Sequence, residues 1–177
     1  VADNFFNVDA DGVATVKPNV TLPSHVTLPA NAKKIAKEAF KNQKNLESID
    51  LKNVEIIDED AFIRCDKLAT VKMSVVKEIG IGAFRGTKIA EIDLPASIQK
   101  IGRGAFEILG LVKVTCRSTT PPTIDNYAFH TLEIGSKNRK LYVPAGSIES
   151  YYNAWRNVLT ASFRGLESNG HKPLPIQ

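Results

Sequence analysis

A chain of 177 residues, 43% of them apolar, is long enough to bury a core of its own and reads as one domain with short flanking segments. Its 23 Lys and Arg against 19 Asp and Glu leave a net charge of +4, an excess too small to require a nucleic acid or an anionic membrane as partner. Two cysteines, Cys65 and Cys116, exclude a disulfide framework, and no apolar run is long enough to span a membrane.

The first residues, from Val1, show no basic stretch followed by an apolar core, so no signal peptide is visible. Asp9-x-Asp11-Gly12 has the beginning of a calcium loop but lacks its later ligands, and is read as a turn. Gly12 to Val16 is expected to be a strand closing the open end of the core, and Asn19-Val20-Thr21 matches the glycosylation acceptor pattern. His25-Val26-Thr27-Leu28-Pro29 mirrors Glu91-Ile92-Asp93-Leu94-Pro95 and opens an array.

Within that array Ala-Phe recurs at Phe40, Phe62, Phe84, Phe106 and Phe129, at intervals of 22, 22, 22 and 23 residues. An isoleucine stands five residues before each Phe, and an apolar alternation follows it, as in Leu46-x-x-Ile49-x-Leu51 and Leu68-x-x-Val71-x-Met73. Alternation is the period of a strand with one face buried, while the Ile-to-Ala-Phe spacing suits a short helical turn on the opposite side. One unit of strand, bend, short helix and bend cannot bury its own apolar face, so the units must stack into a solenoid.

The unit Ile57-Asp58-Glu59-Asp60-Ala61-Phe62-Ile63-Arg64-Cys65-Asp66-Lys67-Leu68 resembles the BspA-like class of leucine-rich repeats of bacterial surface proteins, and the resemblance runs from about Val26 to Val158. It implies an α/β repeat fold: a right-handed leucine-rich-repeat solenoid with a parallel concave sheet, short convex helices and a C-terminal capping helix. The corresponding division is cap strands over 1–25, repeats over 26–144, a capping helix over 145–163 and a tail or linker over 164–177. A protruding loop is expected around Gly135 to Asn138. Ser147 is the expected N-cap of the capping helix, with Glu149 in its first turn and Tyr151, Trp155 and Leu159 on its apolar stripe.

Catalytic and metal-binding patterns are missing from the sequence. His25, His130 and His171 fall in no zinc spacing, and both cysteines occupy positions a small buried apolar residue would fill. Gly80-x-Gly82 and Gly102-x-Gly104 fail the dinucleotide-binding pattern, because Arg85 and Glu107 stand where its third glycine belongs. Asp58 and Asp60 read as a solvated face. No enzyme, cofactor or metal is expected.

Binding is expected on the outward strand positions, since alternation places them on one face. One column is Thr27, Asp50, Lys72, Asp93, Thr115 and Tyr142; a second is His25, Ser48, Thr70, Glu91, Lys113 and Lys140; a third holds Lys52, Ser74 and Arg117. Their mixed charge and hydroxyls suit a protein surface or a glycan, with Arg117 and Tyr142 the strongest candidates for a hot spot. A separate cluster, Lys33, Lys34, Lys37, Lys41 and Lys44, is a candidate for a polyanion such as a sulfated glycan; without interleaved aromatics it does not suggest nucleic acid.

The resemblance implies an extracellular or bacterial cell-surface location and a protein partner, a host matrix protein among the possibilities. The alternatives are a structural spacer within a longer modular surface protein and a glycan-binding module.

Overall fold

The computed structural model describes residues 5–130 and 138–177; most of the expected loop at Gly135 to Asn138 lies outside them. A hairpin of β1 (Phe6–Val8) and β2 (Val13–Val16) comes first, antiparallel, with Phe6 opposite Val16. Every later strand pairs in parallel.

Two kinds of strand alternate along the chain. The longer ones are β3 (His25–Thr27), β5 (Ser48–Asp50), β7 (Thr70–Lys72), β9 (Glu91–Leu94), β11 (Lys113–Cys116) and β13 (Lys140–Val143). Between them lie two-residue strands: β4 (Lys34–Ile35), β6 (Ile56–Ile57), β8 (Glu78–Ile79), β10 (Lys100–Ile101) and β12 (Thr123–Ile124). The short strands join the hairpin in a seven-stranded sheet, order β1-β2-β4-β6-β8-β10-β12. The longer strands form two ladders, β3-β5-β7 and β9-β11-β13, the second extended by β14 (Leu174–Pro175). The two ladders meet at β7 and β9, where the spacing from Val71 to Ile92 is one residue shorter than the usual period.

The core is a row of repeat positions. Ile35, Ile57, Ile79 and Ile101 line one side and Ile49, Val71, Ile92, Val114 and Leu141 the other, all buried. Between the sheets the five Phe rings stack with centroids 4.8, 5.2, 5.5 and 5.1 Å apart. Phe6 covers the first ring at 5.7 Å, and Phe163 meets Phe129 edge-on at 5.1 Å. An aromatic spine thus runs the length of the stack and turns edge-on at its C-terminal end.

The expected short helices after each two-residue strand are not helices. Each Ala-Phe segment is a run of tight turns in which successive amides point in alternate directions. Ala61 and Ile63 donate three residues back, to Asp58 and Asp60, while Asp60, Phe62 and Arg64 donate to Ile81, Ala83 and Arg85 of the next unit. The same alternation recurs at Gly82, Phe84 and Gly86, which bond to Arg103, Ala105 and Glu107. Reaching sideways requires the residues two before and two after Phe to adopt positive φ, as Glu38, Asn42, Asp60, Arg64, Gly82 and Gly86 do. An α-helix would satisfy those amides internally; the turns spend them on binding one unit to the next.

The end of the chain also departs from expectation. The helical segment over 145–163 is three pieces: a 3-10 turn (Ala145–Ser147), α1 (Ile148–Ala154) and α2 (Arg156–Ser162), broken at Trp155. Ser147 does not cap by its side chain; its hydroxyl donates to the Thr119 carbonyl at 2.8 Å and ties α1 to the stack. Trp155 Nε1 donates to the Pro122 carbonyl at 3.0 Å. Residues 164–177, expected as a tail or linker, form a 3-10 segment (Arg164–Asn169) and then β14, which adds in parallel to β13 with Tyr142 opposite Leu174.

Candidate functional site

The outward columns read from alternation are in register. Thr27, Asp50 and Lys72 are cross-strand neighbours, and so are Asp93, Thr115 and Tyr142. The second column runs His25, Ser48, Thr70 across one ladder and Glu91, Lys113, Lys140 across the other. The two ladders therefore present one polar face made of side chains from six turns.

Most charges on that face are matched between neighbouring strands. Arg117 makes a two-pronged contact with Asp93, Nε to Oδ1 at 2.8 Å and Nη2 to Oδ2 at 2.7 Å, which holds the guanidinium pKa above its usual value. Lys113 lies 3.5 Å from Glu91 and sits over the Tyr142 ring at 5.6 Å. Lys72 and Lys52 both reach Asp50, at 3.2 and 3.3 Å. Thr115 departs from the expected exposure: it stands in its column but keeps only 9% of its surface, on the floor between Asp93 and Tyr142.

Two depressions open on this face. One of about 480 Å³ lies along the seam of the ladders, lined by Thr70, Lys88, Glu91, Asp93, Lys113 and Arg117. The other, about 300 Å³, is bordered by Arg117, Tyr142 and the last residues, Ile176 and Gln177. Arg117 and Lys113 border both. The participation of Ile176 and Gln177 could not be read from side-chain pattern, because the two residues of β14 are too few to show an alternation.

The lysine cluster presents a different picture from an open basic patch. Lys34 pairs with Asp58 at 2.8 Å, Lys37 with Glu59 at 3.0 Å, Lys41 with Glu38 at 3.0 Å and Lys44 with Asp66 at 2.8 Å. Three of those acids belong to the next unit, so the lysines act as rungs along the stack and their field is largely cancelled. The Lys34 and Lys44 ammonium groups hold Asp58 and Asp66 below the usual carboxylate range, and Lys77 does the same to Glu55. For Asp50 partial burial pushes upward, but the Lys52 amide and the Lys72 and Lys52 ammonium groups outweigh it.

A carboxylate with a lowered folded-state pKa contributes stability above its unfolded value and loses it as pH falls through the folded one. Thermal stability is accordingly expected to hold near neutrality and to drop once the pH passes below the ordinary values of 3.8 for Asp and 4.5 for Glu. A melting series across acid pH checks this; a flat profile there would contradict the rungs.

Among the described residues no group of three or more His, Cys, Asp or Glu side chains could hold a metal ion. Nor is any helix long and apolar enough to cross a membrane. Cys65 is buried with its thiol donating to the Phe40 carbonyl at 2.9 Å, and burial pushes its pKa up to about 11. Burial also raises Cys116, which touches the Tyr151 hydroxyl at 3.1 Å. Thiols so protonated are poor nucleophiles. An aromatic disulfide reagent should leave both unreacted in the native protein and titrate both after denaturation; rapid native reaction of either would contradict their placement.

One feature of the C-terminal end went unread in the sequence. Arg139 has no exposed surface, and its guanidinium donates to the carbonyls of Leu111 at 2.9 Å, Phe129 at 2.5 Å, Ile108 at 3.1 Å and Ser162 at 3.4 Å. Burial lowers its pKa to about 10, so it remains a cation at neutral pH. It fastens two turns of the stack to the end of α2, immediately before β13.

The repeat matches a family model, the BspA type leucine rich repeat region, in six copies over residues 19–136. The chain belongs to that family. No curated protein shows a significant match to this BspA-type repeat chain. Among solved structures it is similar to a leucine rich cell surface protein from Faecalibacterium prausnitzii, with a TM-score of 0.67 and 20% identity, over 90% of this chain and 40% of that one. It is also similar to a leucine rich repeat protein of T. pallidum, with a TM-score of 0.51 and 18% identity, over 78% of this chain and 77% of the other. At such identities the likeness establishes the solenoid fold. The BspA-type chain spans about two fifths of the length of the F. prausnitzii protein.

Proposed function

We propose that this BspA-type repeat chain is a non-catalytic recognition module of a bacterial cell-surface protein, binding a protein partner through the polar face of its longer strands. The observation that carries this reading is the in-register, ion-paired array around Arg117, Asp93, Lys113 and Tyr142, bordered by two depressions on one face. Arg and Tyr held in place by neighbours lose little rotamer freedom on binding, which suits a hot spot. The surface location rests on the family and on the cell-surface protein it resembles.

The test is a pull-down against host extracellular and matrix proteins, comparing the native chain with an Arg117→Ala, Tyr142→Ala double variant. A partner captured by the native chain and lost from the variant supports the reading. A partner retained by the variant moves the site off this face.

A structural spacer is the second reading, and the ion pairs favour it: charges that satisfy one another along the face need no partner. Failure of every candidate protein to bind would leave the spacer as the better account.

A further inference from the structure

A depression of about 610 Å³ lies on the short-strand sheet, away from the face considered above. Its floor follows one repeat position across four turns: Asp58, Gly80, Gly102 and Asp125. The two glycines are there for stacking, since a Cβ on Gly80 would come within 2.7 Å of the Asp58 carbonyl carbon, and one on Gly102 within 2.8 Å of the Ile81 amide. Their effect on the surface is a trough two turns wide, free of side chains and bracketed by carboxylates.

One wall is made by Glu78 and Lys100, exposed residues in register on β8 and β10. No ion pair joins them, in contrast to the Lys34–Asp58 and Lys77–Glu55 pairs beside them. The other wall is made by Ile81 and Arg103. Ile81 keeps 55% of its surface, and the Arg103 guanidinium is backed from outside the trough by the half-exposed Tyr127 ring, 4.8 Å from its centroid.

We infer that this trough binds an uncharged linear oligosaccharide, an assignment independent of the protein-binding face. Asp58 and Glu59 are already neutralised by Lys34 and Lys37, and the remaining Glu78 and Asp125 balance Lys100 and Arg103. Neither a polyanion nor a polycation gains from such a balance. Carboxylate, ammonium and guanidinium groups above a smooth floor can bond to ring hydroxyls, and the exposed Ile81 side chain offers an apolar surface to the C–H face of a sugar.

Spacing favours a saccharide over a peptide. Successive strands repeat about every 4.8 Å, whereas side chains on one face of an extended peptide repeat about every 6.7 Å and fall out of step across four turns. A pyranose ring is close in length to one strand step, so each ring meets an equivalent position of the next turn. A trough of this volume is also within the usual range for small-ligand sites.

The test is an amide NMR titration of the chain with cellohexaose, laminarihexaose and mannohexaose, beside Arg103→Ala, Ile81→Glu and Arg117→Ala variants. The expected result is saturable shifts at Gly80, Ile81, Gly102 and Arg103 for at least one hexaose, with millimolar or tighter affinity. Affinity should weaken about tenfold or more in Arg103→Ala and Ile81→Glu and stay unchanged in Arg117→Ala. The amide spectrum of each variant is the check that it remains folded. Absence of saturable shifts with all three sugars would overturn the assignment, as would shifts centred on β9, β11 and β13. A protein partner lost in the Arg117 and Tyr142 double variant would leave this assignment untouched.

Discussion

Phe84→Ala is expected to destabilise the protein by about 3–5 kcal/mol, the range for emptying a fully buried Phe site. Phe84 stacks at 5.2 Å on Phe62 and at 5.5 Å on Phe106, so the substitution removes two ring contacts along with the apolar burial. It also breaks the aromatic spine at its middle. Stability in a stack of units is the sum of what each unit contributes and what each interface contributes, so the two halves should become less coupled. The unfolding transition in denaturant should therefore move to lower concentration and broaden. A loss below about 1 kcal/mol would show that the ring row is not the core.

Arg139→Met is the second large effect, expected at about 3 kcal/mol. Losing the cation removes the cost of burying a charge, but it strips the donor from carbonyls in Ile108, Leu111, Phe129 and Ser162, and each buried acceptor left unmet costs about 1–3 kcal/mol. The damage should be local first. Trp155 is the chain's one tryptophan and packs at the same end, its ring 6.3 Å from Phe129. Its fluorescence should report loosening of α1 and α2 at lower denaturant than the far-ultraviolet signal of the stack. Coincident transitions at native stability would contradict the fastening role.

What the sequence makes legible is whatever repeats. Ala-Phe at a period of about 22, the isoleucine five residues earlier and the strand alternation were enough to place the core row and the outward columns in the register the ladders show. Less visible is how the backbone travels between them. An Ile, Ala, Phe spacing is compatible with a helical turn, and nothing in Glu38, Asp60 or Arg64 announces positive φ; only Gly82, Gly86 and Gly104 hint at it. Two-residue strands are too short to alternate, so the second sheet leaves no period to read.

At the C-terminal end the obstacle was different. Arg139 lies in Lys137-Asn138-Arg139-Lys140, which has the composition of a solvated charge run, and its partners are carbonyls distant in sequence. Pro173 and Pro175 make the last residues resemble a linker, yet Leu174 and Pro175 pair with Tyr142 and Val143 and Leu174 packs against the core. Of the candidate site, the positions of Asp50, Asp93, Arg117, Lys113 and Tyr142 followed from alternation. The ion pairs that link neighbouring strands of the face and thread Lys34, Lys37 and Lys44 into the stack required the chain to be folded.

Amide hydrogen exchange on uniformly labelled native protein tests most directly that units are joined by alternate turn amides. The account predicts slow exchange at Phe62, Arg64, Phe84 and Gly86, whose amides bond to the next unit, and collapse of that protection together with the longer strands in denaturant. Fast exchange at those four amides, or protection of every amide in the segment as in a helix, would contradict it.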